Sequence, residues 1–144
     1  MPVKNKITRV VIDTNIWVSF LISDKYRKLD TLILGNRIVI LFSTELLEEL
    51  NKVSAYPKLK KYFPANAIEE MITNLAAYID LIKVTTKTDV CRDPKDNFLL
   101  SLAKDGKAKF LITGDVDLLS LKVFGKTKII TLTDYLKLTA DNFR

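Results

Sequence analysis

The chain has 144 residues, of which 48% are hydrophobic, and this is enough to bury the core of one compact domain. We therefore expect a single domain over residues 1–144. The absence of histidine excludes imidazole catalysis and histidine-rich zinc sites, and the single cysteine, Cys91, excludes an internal disulfide framework. The net charge of +6 favours a polyanionic partner such as nucleic acid.

The sequence also bears on location. Its longest apolar stretches fall short of the roughly 18 to 20 residues that span a bilayer, and the first nine residues lack the apolar core of a secretion signal. We therefore expect a cytoplasmic protein with no membrane partner.

Strand-like and helical patterns alternate along the chain. This alternation predicts an α/β fold, a three-layer α/β/α sandwich around a central, mainly parallel sheet of about five strands. The expected strands lie near residues 9–12, 38–42, 80–84, 109–113 and 127–131, and the expected helices near 15–22, 26–35, 44–54, 65–79, 95–105 and 133–139.

Four acidic residues lie at or near the ends of these apolar segments. Asp13 and Asp115 each follow a strand, Asp96 opens a helix, and Glu49 lies within the helix near 44–54. The carboxyl ends of parallel strands border one crevice, where such side chains can meet. Carboxylate oxygens are the ligands that Mg²⁺ and Mn²⁺ prefer, and many nucleases hold one or two such ions. The pattern therefore predicts a metal site.

Two adjacent glutamates compete for the second acidic position. On a helix starting near residue 44, Leu46, Leu50 and Val53 fall within one narrow apolar arc. Glu49 borders this arc, whereas Glu48 falls on nearly the opposite face. Helical phase therefore favours Glu49 as the inward carboxylate.

Each acid also has a structural interpretation. Asp93 is well placed as a helix N-cap, which is the role we prefer for it, and Asp96 then lies favourably against the helix dipole. Asp13 could cap the helix that follows it, and Asp115 and Asp117 could form a turn. The combination favours a site, because four separate elements carry acids to the same edge of the predicted sheet.

Four short motifs, taken in order, carry a family resemblance. They are Ile12-Asp13-Thr14-Asn15, then Ser43 with Glu49-Leu50, then Asp93-Pro94-Lys95-Asp96-Asn97, and finally Ile112-Thr113-Gly114-Asp115. The ordered set resembles the PIN domain, and in particular the VapC-like toxin components of bacterial and archaeal toxin–antitoxin pairs. The resemblance covers nearly the whole chain.

The resemblance implies a fold, an activity and partners. It implies a metal-dependent endoribonuclease that uses Mg²⁺ or Mn²⁺ to cleave RNA, is held inactive by a cognate antitoxin and forms a homodimer. The chain departs from the smallest toxins in a longer stretch over residues 55–78. The positions that match the acidic residues of the family are Asp13, Glu49, Asp96 and Asp115, and those that match supporting positions are Asn15, Thr113 and Asp117.

A basic and aromatic segment at residues 56–63 is a second candidate for contact with nucleic acid. Lys58, Lys60 and Lys61 could bind phosphates, and Tyr62 or Phe63 could stack on a base. The alternative, which lysine runs generally favour, is a solvated linker whose aromatic residues pack on the core. The segment could form a short helix between two longer ones.

Two functions of different classes remain compatible with the sequence. One is the metal-dependent ribonuclease, and the other is a non-catalytic module with the same fold that binds nucleic acid or a partner protein. The complete set of acids favours the enzyme. A phosphoaspartate fold is disfavoured, because the first strand ends in Asp13-Thr14-Asn15 rather than in paired acids.

Overall fold

The structure is a computed structural model that describes residues 7–22, 38–63 and 66–141, with the backbone alone at Lys95 and at 139–141. The helix predicted near residues 26–35 lies outside the described residues. None of the described helices combines the length and the apolar character that a bilayer-spanning segment needs.

A six-stranded sheet forms the centre of the molecule, in the order β3-β2-β1-β4-β6-β5. Every neighbouring pair is parallel except β5 and β6, which are antiparallel. The residues of β4 are buried throughout, as are the last three of β1, because helices cover a parallel sheet and its strands are apolar on both faces. The strands are β1 (Thr8–Ile12), β2 (Ile38–Phe42), β3 (Ile79–Leu81), β4 (Phe110–Ile112), β5 (Val123–Phe124) and β6 (Thr127–Ile130).

Helices flank this sheet, as the α/β prediction requires. Leu46, Leu50 and Val53 are the buried residues of α2, which is the apolar arc that helical phase predicts. The described helices are α1 (Thr14–Ile22), α2 (Thr44–Ser54), α3 (Pro57–Lys60), α4 (Ala67–Leu75), α5 (Pro94–Asp105), α6 (Val116–Leu119) and α7 (Leu132–Asp141), with a 3₁₀ turn at Ala76–Tyr78.

The predicted fold class is correct, and the differences concern short elements. The sheet has six strands rather than about five, because β5 contributes two residues that turn back onto β6 through Gly125 in the left-handed region (φ +60°). The helix predicted at 65–79 ends as α4 at Leu75 and tightens into the 3₁₀ turn. The possible short helix after Tyr56 is present as α3, whereas α6 was not expected.

An aromatic cluster fills the core beside β2. The Trp17 ring lies 5.2 Å from Phe42 and 6.0 Å from Phe20, centroid to centroid, and all three side chains are buried. These contacts fix α1 against the sheet directly after Asp13. This packing supports the backbone at the start of α1, which follows Asp13.

The sheet changes direction between β1 and β4. From β1 the chain adds β2 and β3 on one side, and from β4 it adds β6 on the other. Ligand sites in open α/β sheets form at such a switch point, outside the carboxyl ends of the strands. In this protein, Asp13 follows β1 at that edge and Thr113 follows β4.

Candidate active site

A buried hydroxyl joins the two strand ends. Thr113, which is fully buried, donates its Oγ1 hydrogen to Asp13 Oδ2 at 2.6 Å and accepts the backbone N–H of Asp115 at 3.0 Å. The backbone N–H of Asp13 bonds in turn to the carbonyl of Ile112 at 2.9 Å. The orientation of the Asp13 carboxylate is therefore set by both central strands.

Asp115 carries out a structural role as well. Its Oδ1 accepts the backbone N–H groups of Asp117 at 2.8 Å and Leu118 at 3.3 Å, so it caps α6. The turn-forming interpretation of Asp115 is thus compatible with the structure. It does not exclude metal binding, because these bonds involve only one of the two carboxylate oxygens.

Three carboxylates converge beside this turn. Asp96, Asp115 and Asp117 each offer an oxygen that lies within 4.8 Å of the other two. Asp96 comes from the first turn of α5 and is buried, Asp115 is half-buried, and Asp117 is exposed. The cluster thus joins a helix start to the end of a strand.

The pKa values reflect how strongly these acids are confined. Burial raises the pKa of Asp96 to about 6, and the nearby charges of Asp115, Asp93, Asp13 and Asp117 add to the shift. Burial also raises the pKa of Asp13, although the Thr113 hydrogen bond and nearby backbone N–H groups oppose that shift. Carboxylates confined in this way bind protons unless a cation compensates their charge.

A polar stripe along α5 positions the loop that leads to Asp96. Asn97 exchanges two hydrogen bonds with the backbone of Cys91, each 2.8 Å long, and Ser101 donates to Thr88 at 2.8 Å. One helical turn further, Asp105 accepts the backbone N–H of Thr86 at 2.9 Å. Residues spaced by four lie on one helix face, so this stripe holds the incoming chain along the helix.

Asp13, Asp96 and Asp115 border a cleft of about 370 Å³, whereas Asp117 lies just outside its lining. Glu49 borders the cleft and is half-buried, whereas Glu48 is exposed and does not border it. Asp93 is also part of the lining, and its backbone carbonyl accepts the N–H of Asn97 at 3.4 Å, as a residue preceding a helix does. The remaining lining residues are Asp13, Thr14, Asn15, Val53, Tyr56, Leu59, Asp96, Phe98, Leu99 and Asp115.

The sequence matches a known family over most of its length. The model of the PIN domain family matches residues 9–117, which include Asp13, Glu49, Asp96 and Asp115. The chain belongs to the PIN domain family. PIN domains are typically nucleases.

Relatives of this PIN domain come from archaea and bacteria. The uncharacterised protein MJ1680 of Methanocaldococcus jannaschii is 38% identical over 117 residues, which are 79% of this chain and 75% of that protein. Mycobacterium tuberculosis VapC20, described as a sarcin-ricin loop cleaving toxin, superposes with a TM-score of 0.54 at 13% identity over 83% of this chain and 98% of VapC20. Rickettsia felis VapBC2, solved bound to a promoter DNA fragment, superposes with a TM-score of 0.53 at 16% identity over 85% and 97%. At these identities the two structures establish a VapC-like fold.

The structure gives two residues of this PIN domain a larger part than the sequence suggested. Asp117 was expected only to support the site, yet its carboxylate joins those of Asp96 and Asp115 because α6 turns it back. Tyr56 was not singled out, yet it borders the cleft, whereas Tyr62 does not. The spacing Asp115-x-Asp117 was the sequence feature that could have indicated the role of Asp117 in the cluster. No sequence feature distinguished Tyr56 from Tyr62.

Proposed function

We propose that this PIN domain is a metal-dependent endoribonuclease that cleaves RNA phosphodiester bonds at the acidic cleft. The observation that carries the proposal is the convergence of Asp96, Asp115 and Asp117 within 4.8 Å at the switch point of the sheet. Asp13 lies next to this group through its Thr113 hydrogen bond, and Glu49 borders the same cleft. Membership of a family of nucleases supports this function over a non-catalytic module.

The donor set fits Mg²⁺ or Mn²⁺. Every candidate ligand is a carboxylate, which is the hard oxygen donor that these ions prefer. Opposite ligands around Mg²⁺ are about 4.2 Å apart, twice the usual bond length of about 2.1 Å, so oxygens within 4.8 Å of one another need only small rotations to share an ion. Asp96, Asp115 and Asp117 would hold the ion, with Asp13 and Glu49 completing the site or holding a second ion.

The residues of the chain then have separate roles. A bound ion would supply a more acidic water and would stabilise charge on the scissile phosphate. Thr113 fixes the rotamer of Asp13 by its hydrogen bond, and the α6 cap fixes Asp115, so both carboxylates are oriented before any substrate arrives. Asn15 is exposed at the cleft, where its amide can hydrogen-bond a phosphate oxygen or the attacking water.

We also propose that the lysines on and next to α3 bind the RNA backbone. Lys58, Lys60 and Lys61 are exposed on or next to α3, whose residue Leu59 borders the cleft. Their ammonium groups can bind the RNA backbone beside the acids and attract it by salt-sensitive electrostatics. The single-stranded backbone would then run from α3 across the cleft.

We also propose that the protein is the toxin of a cytoplasmic toxin–antitoxin pair, with a cognate antitoxin as its protein partner. The fold shared with VapC20, a toxin, and with VapBC2 supports this proposal. A homodimer is part of the same proposal, because the resemblance to VapC-like toxins implies one. A monomer by light scattering at micromolar concentration would contradict the dimer.

The direct test is cleavage of labelled RNA by the purified protein with Mg²⁺ or Mn²⁺, with a chelator, and with metal restored. Cleavage should disappear in the chelator and return with the metal. Undiminished cleavage in the chelator would contradict a metal-dependent reaction. RNA binding without cleavage in either metal would favour the non-catalytic module.

A further inference from the structure

A group of apolar and aromatic side chains lines the cleft beside Glu49. Val53 lies one helical turn after Glu49 on α2, Tyr56 lies between α2 and α3, and Leu59 belongs to α3. Val53 is buried and Leu59 is half-buried, whereas Tyr56 remains 40% exposed. The cleft therefore combines carboxylates that could bind a metal with an accessible aromatic ring.

The backbone of Tyr56 is hydrogen-bonded on both sides. Tyr56 stands between two helices: its N–H bonds to the carbonyl of Val53 at 3.1 Å, and its own carbonyl accepts the N–H groups of Leu59 at 2.9 Å and Lys60 at 2.8 Å. Its extended backbone (φ −62°, ψ 137°) is the conformation that a residue before proline prefers, and Pro57 follows. The backbone of Tyr56 is thus held by hydrogen bonds on both sides, which lowers the entropy lost when a ligand packs on this residue.

We propose that Tyr56 and Leu59 form a nucleobase subsite, in which the tyrosine ring stacks on an unpaired base next to the phosphate held at the acids. This inference rests on the ribonuclease function proposed above. The acids repel phosphates, so a neutral aromatic surface beside them gains affinity from a part of the nucleotide that carries no charge. Stacking of a base on an aromatic side chain is also tolerant of sequence.

The subsite also specifies a class of substrate. The ring can stack only on a base that has left its own helix, and unstacking a paired base costs a few kcal/mol. RNA recognition of this kind selects single strands, loops and bulges. Stacking on Tyr56 would therefore favour unpaired RNA over a continuous duplex at this cleft.

Tyr62 is the rival candidate for the same role. It is 50% exposed and lies two residues beyond α3, but it does not border the cleft. Its ring instead lies 5.1 Å from the ammonium group of Lys61. Tyr62→Ala is therefore the matched control for Tyr56→Ala. Both residues are exposed tyrosines, but only Tyr56 borders the cleft that contains the acids.

The test measures binding of a short fluorescein-labelled RNA, single-stranded or annealed to its complement, by anisotropy. Every protein carries Asp96→Asn so that the strand stays intact. Tyr56→Ala should weaken single-strand binding about 5- to 150-fold, the range measured for loss of one base–aromatic stack. Tyr56→Phe should bind within about twofold of the parent because the ring is retained, and Tyr62→Ala should lose less affinity than Tyr56→Ala. Circular dichroism of each variant checks that it is folded.

A second measurement uses the cleavage-competent protein. An RNA with an abasic nucleotide beside the mapped cleavage position should be cut more slowly by the parent, with no further loss in Tyr56→Ala, because both changes remove the same stack. Additive losses, equal single-strand affinities for Tyr56→Ala and the parent, or a larger loss in Tyr62→Ala would overturn the subsite.

The outcomes also separate the subsite from the ribonuclease function. If the parent cleaves RNA under any of these three results, the ribonuclease proposal stands and the subsite is wrong. Tyr56-dependent binding with no cleavage in either metal would overturn the ribonuclease proposal and keep the subsite, whereas neither binding nor cleavage would overturn both.

Discussion

Replacing Asp96 by asparagine should stabilise the metal-free protein at neutral pH. Burial and four neighbouring acids raise the pKa of Asp96 from 3.8 to about 6, so the folded state binds a proton more tightly than the unfolded chain does. Between about pH 4 and pH 6 the native state therefore holds the extra proton, and the free energy of unfolding falls as the pH rises through this window. Above it, the ionised side chain destabilises the fold.

The size of the effect follows from the shift. A difference of about two pKa units corresponds to about 3 kcal/mol of lost stability at pH 7.5, at 1.36 kcal/mol per unit. Asp96→Asn removes this loss, and the gain is smaller if the new amide finds no acceptor. At pH 4 the aspartic acid is already largely protonated in the folded protein, so the same substitution should change stability little.

Urea unfolding of both proteins at pH 4 and pH 7.5, in a chelator, measures these differences. Asp89→Asn is the matched control, because it removes the same charge from an exposed position outside the cleft. Adding Mn²⁺ at pH 7.5 should stabilise the parent much more than Asp96→Asn, which lacks a ligand. A variant gain of equal size at both pH values, or none at pH 7.5, would refute the electrostatic argument.

Three further predictions test separate parts of the structure. Thr113→Val should destabilise the protein by about 1–3 kcal/mol, because it removes the hydroxyl that donates to the buried Asp13 carboxylate, whereas Thr113→Ser should retain most stability in thermal melts. Glu49→Gln should abolish RNA cleavage with little effect on folding, while Glu48→Gln should leave the rate nearly intact; the reverse ranking would show that Glu48 is the functional acid. Lys107→Gly should raise the free energy of unfolding by about 1 kcal/mol, because residue 107 has a left-handed backbone (φ 56°) after α5, and a loss of stability would contradict this.

The sequence was sufficient for the fold because its main signals are periodic. The apolar arc of α2 and the largely buried run of β2 extend over enough residues to be distinguished from chance. The short elements β5 and α6 show no such pattern, and their positions depend on tertiary contacts. These were the elements that sequence patterns missed.

The candidate site was predictable to the level of residue type and sheet edge. The strand-end rule placed Asp13 and Asp115 at one crevice, and helical phase distinguished Glu49 from Glu48. The role of Asp117 depends on the tight turn of α6, and the position of Tyr56 depends on the angle between α2 and α3. Neither the turn of α6 nor the angle between α2 and α3 is encoded in a local sequence pattern. Only the structure could therefore show the positions of Asp117 and Tyr56.

The rate of RNA cleavage as a function of Mn²⁺ concentration, compared between the parent and Asp115→Asn, tests the central proposal most directly. Asparagine can still accept the N–H groups that cap α6, so the variant should fold while losing an anionic ligand. We expect the parent rate to rise from near zero to saturation and the variant rate to stay near zero over the same range. Coincident curves, or a parent rate independent of Mn²⁺, would contradict a metal-dependent ribonuclease at this site.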